Sequence, residues 1–218
     1  KMENGLDLES LDTNSLKLLL KDAMDKKREI AQGDFLKFVK EVWPDFIEGK
    51  HHKIYAEKLN RIANGELKRL IVNMPPRHTK SEFASYLFPA WLMGRRPDLK
   101  IIQATHTAEL AVGFGRKVKN LIDSDDYKEI FPSVSLSADS KASGRWDTTS
   151  GGMYYAVGVG SNLAGRGGDL VIIDDPHSEQ TAMSNNGFED ASYEFVIGDE
   201  DGDAYTLDIT FGDLLLPG

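Results

Sequence analysis

The sequence contains no cysteine and no long uncharged apolar run. Without cysteine the chain can form neither a disulfide nor a thiolate metal site, which is consistent with a reducing compartment. No apolar stretch approaches the ~18 residues that a membrane-spanning helix needs, so we expect no membrane partner. Residues 1–15 are polar and acidic, so we also expect no secretory signal there.

Basic charge is also scarce, because 26 Lys and Arg face 35 Asp and Glu, and the net charge is −9. A negative chain at first argues against a nucleic-acid partner. However, residues 197–218 hold six acidic residues and no Lys or Arg. The first 196 residues are therefore nearly neutral, which is compatible with a surface that faces DNA.

The pattern of apolar residues changes near residue 64. Before it, amphipathic helices are predicted to begin at Ser15, at Asp34 and near Lys50, and Asn64-Gly65 is a good end for the third. After it, short apolar runs alternate with helical patterns: strands over 70–74, 100–105, 153–160 and 170–174, and helices over 80–93 and 108–122. Buried strands joined by helices predict an α/β protein whose mainly parallel sheet is flanked by helices on both faces.

This pattern divides the chain into three predicted parts. Residues 1–49 form a helical segment, residues 50–196 form the α/β core, and residues 197–218 form an acidic tail. The tail is rich in Asp and Gly and favours a hairpin around Gly202. Its acidic spacing does not match a calcium-binding EF-hand loop.

Residues 74–81, between a predicted strand and a predicted helix, have the layout of a phosphate-binding loop. Such a loop needs backbone N–H groups at a helix N-terminus, a lysine for the β- and γ-phosphates of ATP, and a hydroxyl for Mg²⁺. Lys80 supplies the amine and Ser81 the hydroxyl. The residues expected to surround the phosphates with them are Pro76, Arg77, His78 and Thr79.

The two glycines of the standard loop motif are absent, because Met74 and Thr79 occupy their positions. The alternative interpretation is a proline-rich turn capped by Thr79 and followed by an exposed lysine. A second motif, at the predicted strand 170–174, favours the phosphate loop.

That strand consists of four apolar residues followed by Asp174 and Asp175. In P-loop ATPases the first acid holds the hydrated Mg²⁺, and the next residue polarises the attacking water. We therefore predict Asp174 as the metal residue and Asp175 as the catalytic one. Many such enzymes have glutamate in the second position, so Glu179 is a nearby substitute. The alternative is a strand ending in a solvated turn, since Asp-Asp-Pro is common in turns.

An arginine flanked by glycines, Arg166, precedes this strand. The glycines permit backbone conformations that hold a long cationic side chain out in a loop. Arg166 is thus a candidate to stabilise charge on the γ-phosphate, within one subunit or across a subunit boundary. Arg77 is the competing candidate, and an ordinary surface role is the alternative for both. His78 and His106 lie in no metal-ligand cluster, so we expect no zinc.

Together these motifs resemble the ATPase domain of phage terminase large subunits, the motors that package viral DNA. Loops of the form P-P-R-H-x-K-S are similar to the phosphate loops of that family. The resemblance spans about residues 34–185 and includes Trp43-Pro44, Gly65-Glu66, residues 89–95, Phe131-Pro132, residues 158–160 and residues 165–167.

The resemblance implies a P-loop NTPase fold of the ASCE/RecA-like type that hydrolyses ATP with Mg²⁺ to package double-stranded DNA into procapsids. It implies a homo-oligomeric ring on a portal protein, a small terminase subunit as partner, and the cytoplasm of an infected bacterial host. His52 would lie where this family often contacts adenine. The alternative for His52 is an exposed imidazole at a helix N-terminus.

Two parts of the family pattern are not matched. These 218 residues include neither an RNase H-like nuclease domain nor a Ser/Thr-Gly coupling motif, so we expect no nuclease activity from them. Two other functions therefore stay open. One is a helicase-like P-loop ATPase with the same core, and the other is a nucleotide-binding or assembly module that no longer hydrolyses ATP.

Overall fold

A computed structural model of the chain describes residues 12–75, 77–140, 142–161 and 167–177, and the backbone of two later strands. Its helices are α1 (Thr13–Gly33), α2 (Phe35–Val42), α3 (Lys50–Ala63), a π-helix (Glu82–Leu87), α4 (Phe88–Arg95), α5 (Ala108–Asp123) and α6 (Asp125–Ile130). Its strands are β1 (Lys100–Thr105), β2 (Arg145–Asp147), β3 (Met153–Gly158), β4 (Leu170–Asp174), β5 (Ser192–Gly198) and β6 (Ala204–Thr210).

Within the described residues, the main sheet has four strands in the order β2-β3-β1-β4. β1 runs parallel to β3 on one side and to β4 on the other, and β2 pairs antiparallel with β3 at the edge. Thr105 lies opposite Asp174, so the carboxyl ends of β1 and β4 meet at one edge of the sheet. The predicted α/β class and the parallel pairing of the predicted strands over 100–105, 153–160 and 170–174 are confirmed, whereas β2 and α6 were not predicted.

The helix ends show which capping predictions hold. Asp34 caps α2 as predicted, because its carboxylate accepts the backbone N–H of Lys37. The prediction that the first helix begins at Ser15 is wrong, because α1 begins at Thr13. Asp12 is the cap, and its carboxylate accepts the backbone N–H groups of Asn14 and Ser15. A carboxylate accepts these N–H groups more strongly than a hydroxyl, and so the helix begins earlier.

α1 is exposed along most of its length, and Ala31 is its buried residue. Its C-terminal end is attached to the core, since the indole N–H of Trp91 donates to the carbonyl of Ala31 at 2.9 Å. Leu18 and Leu20 are 69% and 57% exposed. Within the described residues, no helix has both the length and the apolar composition needed to cross a membrane.

The predicted strand over 70–74 is not a strand in the structure. Leu70, Val72 and Met74 pack against the core, whereas Ile71 between them is 73% exposed. The segment thus has the alternating burial of a strand with one buried face, and no strand among the described residues pairs with it. The apolar run predicted burial on both faces, but a strand also requires a neighbour for its ladder of hydrogen bonds.

The helices and the sheet share one large core. Aromatic rings from α2, the π-helix and α4 meet there, with Phe35 in T-shaped contact with Phe83 and Phe88 at 5.3 and 5.7 Å. The opposite face of the sheet has a smaller cluster that consists of strand residues alone: Ile102, Ala104 and Val157, with Tyr155, Val171 and Ile173 beside them. The predicted helices on that second face are not among the described residues.

β5 and β6 form a separate antiparallel pair in which Phe195 lies opposite Leu207. This pairing confirms the hairpin predicted for the acidic region, although Gly202 itself lies outside the described residues. The predicted boundary after residue 196 falls inside β5. The division of the chain into three functional parts stays a prediction.

Two glycines of α5 give a matched test of this packing. A Cβ added to Gly115 would lie 2.5 Å from the carbonyl oxygen of Ser143 and 3.1 Å from the ring of Tyr154, whereas a Cβ on Gly113 meets nothing within 4 Å. We expect Gly115→Ala to lower the free energy of unfolding by about 1–3 kcal/mol through overpacking. Gly113→Ala should raise it by about 0.5–1 kcal/mol, because alanine favours a helix. Urea titration of both variants measures the difference, and equal effects would contradict the close packing of α5 on β3.

Candidate functional site

The candidate site lies where β4 ends. The ammonium group of Lys80, at the start of the helical segment after the loop, hydrogen-bonds to Oδ1 of Asp175. The same group lies 3.3 Å from Oδ1 of Asp174. The structure therefore brings together three residues that were predicted from motifs about 95 positions apart.

The three side chains differ in how deeply they are buried. The side chain of Asp174 is 6% exposed, that of Lys80 is 24% exposed and that of Asp175 is 64% exposed. Burial alone would lower the pKa of Lys80, but the hydrogen bond to Asp175 and the charges of both aspartates outweigh it, so its pKa lies above the ordinary value. Lys80 is consequently a cation, and its contacts are charge-assisted.

The backbone around the site is strained. Among the described residues, the non-glycine residues with positive φ are Arg77 (63°), Thr79 (64°) and Asp175 (44°), so two lie in the loop before Lys80 and the third is its ion-pair partner. Such conformations cost on the order of 1–3 kcal/mol each and cluster at functional sites. Thr79 replaces the second glycine of the standard motif and adopts the left-handed conformation that glycine takes at little cost.

His52 holds Thr79 in this conformation. The backbone N–H of Gly49 donates to Nδ1 of His52 at 2.8 Å, so Nδ1 is unprotonated and Nε2 carries the hydrogen. Nε2 therefore donates to the hydroxyl oxygen of Thr79 at 2.7 Å, and that hydroxyl donates to the carbonyl oxygen of His78 at 2.5 Å. His52 is a buried support for the loop, and its predicted contact with adenine stays a prediction.

The environment of His52 favours the neutral ring. Its pKa is lowered, first by burial and then by the electrostatic influence of the neighbouring His51, with a further contribution from His78. Glu48 acts in the opposite direction, but it is already paired with Lys40 and Lys53. A neutral His52 is also required by the hydrogen bond from Gly49, because a protonated Nδ1 could not accept it.

Two residues that were not predicted complete the surroundings of Asp174. The hydroxyl of Ser85 is 2.8 Å from Oδ2 of Asp174, and the amide nitrogen of Gln103 is 3.2 Å from that hydroxyl. Gln103 interrupts the apolar strand β1. A polar residue at a predicted buried position indicates a special role, so the sequence could have revealed Gln103. No sequence pattern indicates Ser85, whose position depends on the π-helix.

The remaining predicted residues are either not part of this contact or outside the described residues. Arg77 and His78 are exposed, and Ser81 is half-buried. Ser85, rather than Ser81, donates to Asp174. Pro76, Arg166 and Glu179 lie outside the described residues, so their predicted roles stay predictions.

An open cleft of about 490 Å³ adjoins the ion pair, and its lining consists of residues 72–75, Lys80 and Asp175. This volume lies within the range of small-molecule sites. A second open groove, of about 380 Å³, follows α5 and contains none of the predicted site residues.

The carboxylates of Asp175, which lines the cleft, and of Asp174 beside it fit a magnesium ion. Asp174 and Asp175 already share one cation, the ammonium of Lys80, and Ser81 adds a hydroxyl close to it in sequence. Among the described residues, no three His, Cys, Asp or Glu side chains come together in a way that could hold a metal. Mg²⁺ in nucleotide sites commonly uses one or two carboxylates and takes its other ligands from water and phosphate.

Comparison with known proteins gives no family assignment. No protein-family model matches the chain, and no curated protein matches it.

The link between His52 and Thr79 predicts a pH dependence of stability. Because the pKa of His52 is lower in the folded state than its unfolded value of about 6.5, the native state binds fewer protons. The contribution of His52 is fully present above about pH 6.5 and is lost as the pH falls through the folded-state pKa. We expect the free energy of unfolding of His52→Gln, measured in urea between pH 8 and pH 5, to fall less steeply than that of the wild type. Exposed His106 gives the control, His106→Gln, whose slope should match the wild type. An unchanged slope in His52→Gln would contradict the proposed link.

Proposed function

We propose that this chain is a P-loop ATPase that binds Mg²⁺–ATP in the cleft beside Lys80. The observation that carries the proposal is the contact of Lys80 with Asp174 and Asp175. A lysine at the start of a helix and two carboxylates at the end of an adjacent parallel strand form the charge arrangement that phosphoryl transfer uses. The strained loop, with its hydrogen bond from His52, supports the same conclusion.

Each side chain has a role that follows from its exposure. Lys80 exchanges its bond with Asp175 for the β- and γ-phosphates, and the backbone N–H groups at the start of its helix add to that site. Mg²⁺ would neutralise charge on the phosphate oxygens, with Asp174 and Ser81 as the residues that would hold it. Asp175, exposed and released from Lys80, accepts a hydrogen bond from the attacking water and orients it.

We further propose that this ATPase is the motor domain of a terminase large subunit that packages double-stranded DNA. The support is the sequence resemblance over about residues 34–185, together with the convergence of Lys80 and the two aspartates. A homo-oligomeric ring on a portal protein and a small terminase subunit are part of this proposal. Arg166 and the exposed Arg77 are the candidates to stabilise charge on the γ-phosphate.

ATP turnover measured with and without double-stranded DNA, over a range of protein concentrations, tests this function. We expect turnover that DNA stimulates and that rises more than linearly with concentration if subunits complete each other's sites. Lys80→Ala should lower turnover by at least about 100-fold, because it removes a preorganised charge from the transition state. The control is Lys117→Ala, which removes an exposed lysine paired with Glu82 and should keep activity.

Other outcomes separate the alternatives. ATP hydrolysis with strand separation would favour a helicase-like enzyme, and Mg²⁺-dependent ATP binding without hydrolysis would favour an assembly module. Wild-type turnover in Lys80→Ala would contradict the phosphate-loop assignment itself.

Asp175→Asn separates nucleotide binding from hydrolysis. The substitution removes the charge that holds Lys80, so we expect ATP to bind more tightly. Turnover should fall by about 10²–10⁴-fold, because the attacking water loses its acceptor. Asp98→Asn, at the opposite end of β1, is the control and should change neither quantity. Weaker ATP binding with normal turnover in Asp175→Asn would contradict both roles of Asp175.

A further inference from the structure

A line of buried polar side chains runs from the middle of β1 to the candidate metal residue. Gln103 and Ser85 are both 0% exposed, and Asp174 is 5% exposed. The amide nitrogen of Gln103 is 3.2 Å from the hydroxyl oxygen of Ser85, which is 2.8 Å from Oδ2 of Asp174. These groups are buried from solvent and do not line the cleft.

The chemistry of the three groups fixes the direction of each hydrogen bond. The carboxylate of Asp174 accepts only, so the single hydroxyl hydrogen of Ser85 points to Asp174. Ser85 must then accept from Gln103, which requires the amide nitrogen of Gln103 to face it. The amide oxygen of Gln103 is consequently turned away, and it is buried without a hydrogen-bond partner. Burying an unpaired carbonyl destabilises a fold, whereas an apolar side chain at this strand position would not.

The π-helix places Ser85 in this line. Its hydrogen bonds run from residue i to residue i+5, as in the bond from the backbone N–H of Phe88 to the carbonyl of Phe83. Lys80 precedes this helix by two residues, and the wide turn brings Ser85, five positions after Lys80, to the same carboxylate of Asp174. They contact different atoms, because Lys80 lies at Oδ1 and Ser85 at Oδ2. The π-helix and the unpaired carbonyl of Gln103 are thus both linked to the contacts of one carboxylate, that of Asp174.

We propose that Ser85 and Gln103 are positioning residues that engage Oδ2 of Asp174, so that Oδ1 alone is presented to the cation in the cleft. In the present structure that cation is Lys80. The extension to Mg²⁺ rests on the proposed function. Partners of this kind commonly change metal affinity by about 10- to 100-fold when they are removed.

The Mg²⁺ dependence of nucleotide binding tests the proposal without relying on turnover. A fluorescent ATP analogue is titrated at a fixed series of Mg²⁺ concentrations and also in EDTA. For Ser85→Ala we expect the Mg²⁺ concentration at half-maximal binding to rise about 10-fold. Binding in EDTA should not change, because Lys80 and the loop are intact. Ser85→Thr, which keeps the hydroxyl, should restore part of the Mg²⁺ affinity.

Gln103→Leu separates positioning from a structural role. Because the variant removes the unpaired carbonyl, we expect its melting temperature to stay the same or rise, while its Mg²⁺ requirement increases as in Ser85→Ala. The matched control is Tyr154→Phe on β3, which likewise removes a buried oxygen that has no hydrogen-bond partner. That control should leave the Mg²⁺ requirement unchanged. If Gln103 were only structural, its loss would lower the melting temperature without affecting Mg²⁺.

The outcomes distinguish this proposal from the proposed function. Suppose that the wild-type protein binds the analogue with Mg²⁺. If Ser85→Ala and Gln103→Leu then need no more Mg²⁺ than the wild type, the positioning proposal alone is overturned. Wild-type protein that binds no nucleotide overturns the proposed function and the metal role of Asp174 with it.

Discussion

The contact between Lys80 and the two aspartates joins parts of the chain that otherwise belong to separate layers. Lys80 belongs to the helical layer, and Asp174 and Asp175 lie at the edge of the sheet. Three charges of mixed sign in a partly buried place would be costly if any of them stood alone. The arrangement is tolerable because Asp174 has a second partner in Ser85 and because Asp175 reaches solvent. The position of the loop relative to the sheet therefore depends on this contact.

The loop itself is held from the opposite side by uncharged groups. His52 connects the start of α3 to Thr79, and its ring is buried against Phe46 and Phe83, with ring centroids 4.8 and 5.2 Å away. Left-handed conformations at Arg77 and Thr79 need such surroundings, since the sequence offers no glycine there. A neutral hydrogen bond on one side and an ionic contact on the other thus fix the geometry of a loop that would otherwise relax.

The sequence revealed those parts of the fold that local chemistry determines. β4 follows from a continuous apolar run and β1 from a mainly apolar one, and the bounds of α2 and α3 follow from Asp34 and Gly65. Lys80 could be predicted because it lies at the start of a predicted helix. Asp174 and Asp175 could be predicted because they lie at the end of a predicted strand. The strand expected over 70–74 was wrong because an apolar run does not show whether a neighbouring strand exists. Ser85 was not predicted because no apolar periodicity in a sequence indicates a π-helix.

The π-helix also limits how this chain can change during evolution. Each residue of an α-helix turns the chain by about 100° around the helix axis. With ordinary α-helical winding, the spacing of five between Lys80 and Ser85 would place their side chains about 140° apart. The wider turn of Glu82–Leu87 reduces that difference, and both side chains reach Asp174. A one-residue deletion between them would leave a spacing of four, which keeps one face of an α-helix, whereas a deletion after Ser85 would keep the spacing of five and lose the wide turn. The place of a deletion in this segment therefore decides whether the two side chains still meet.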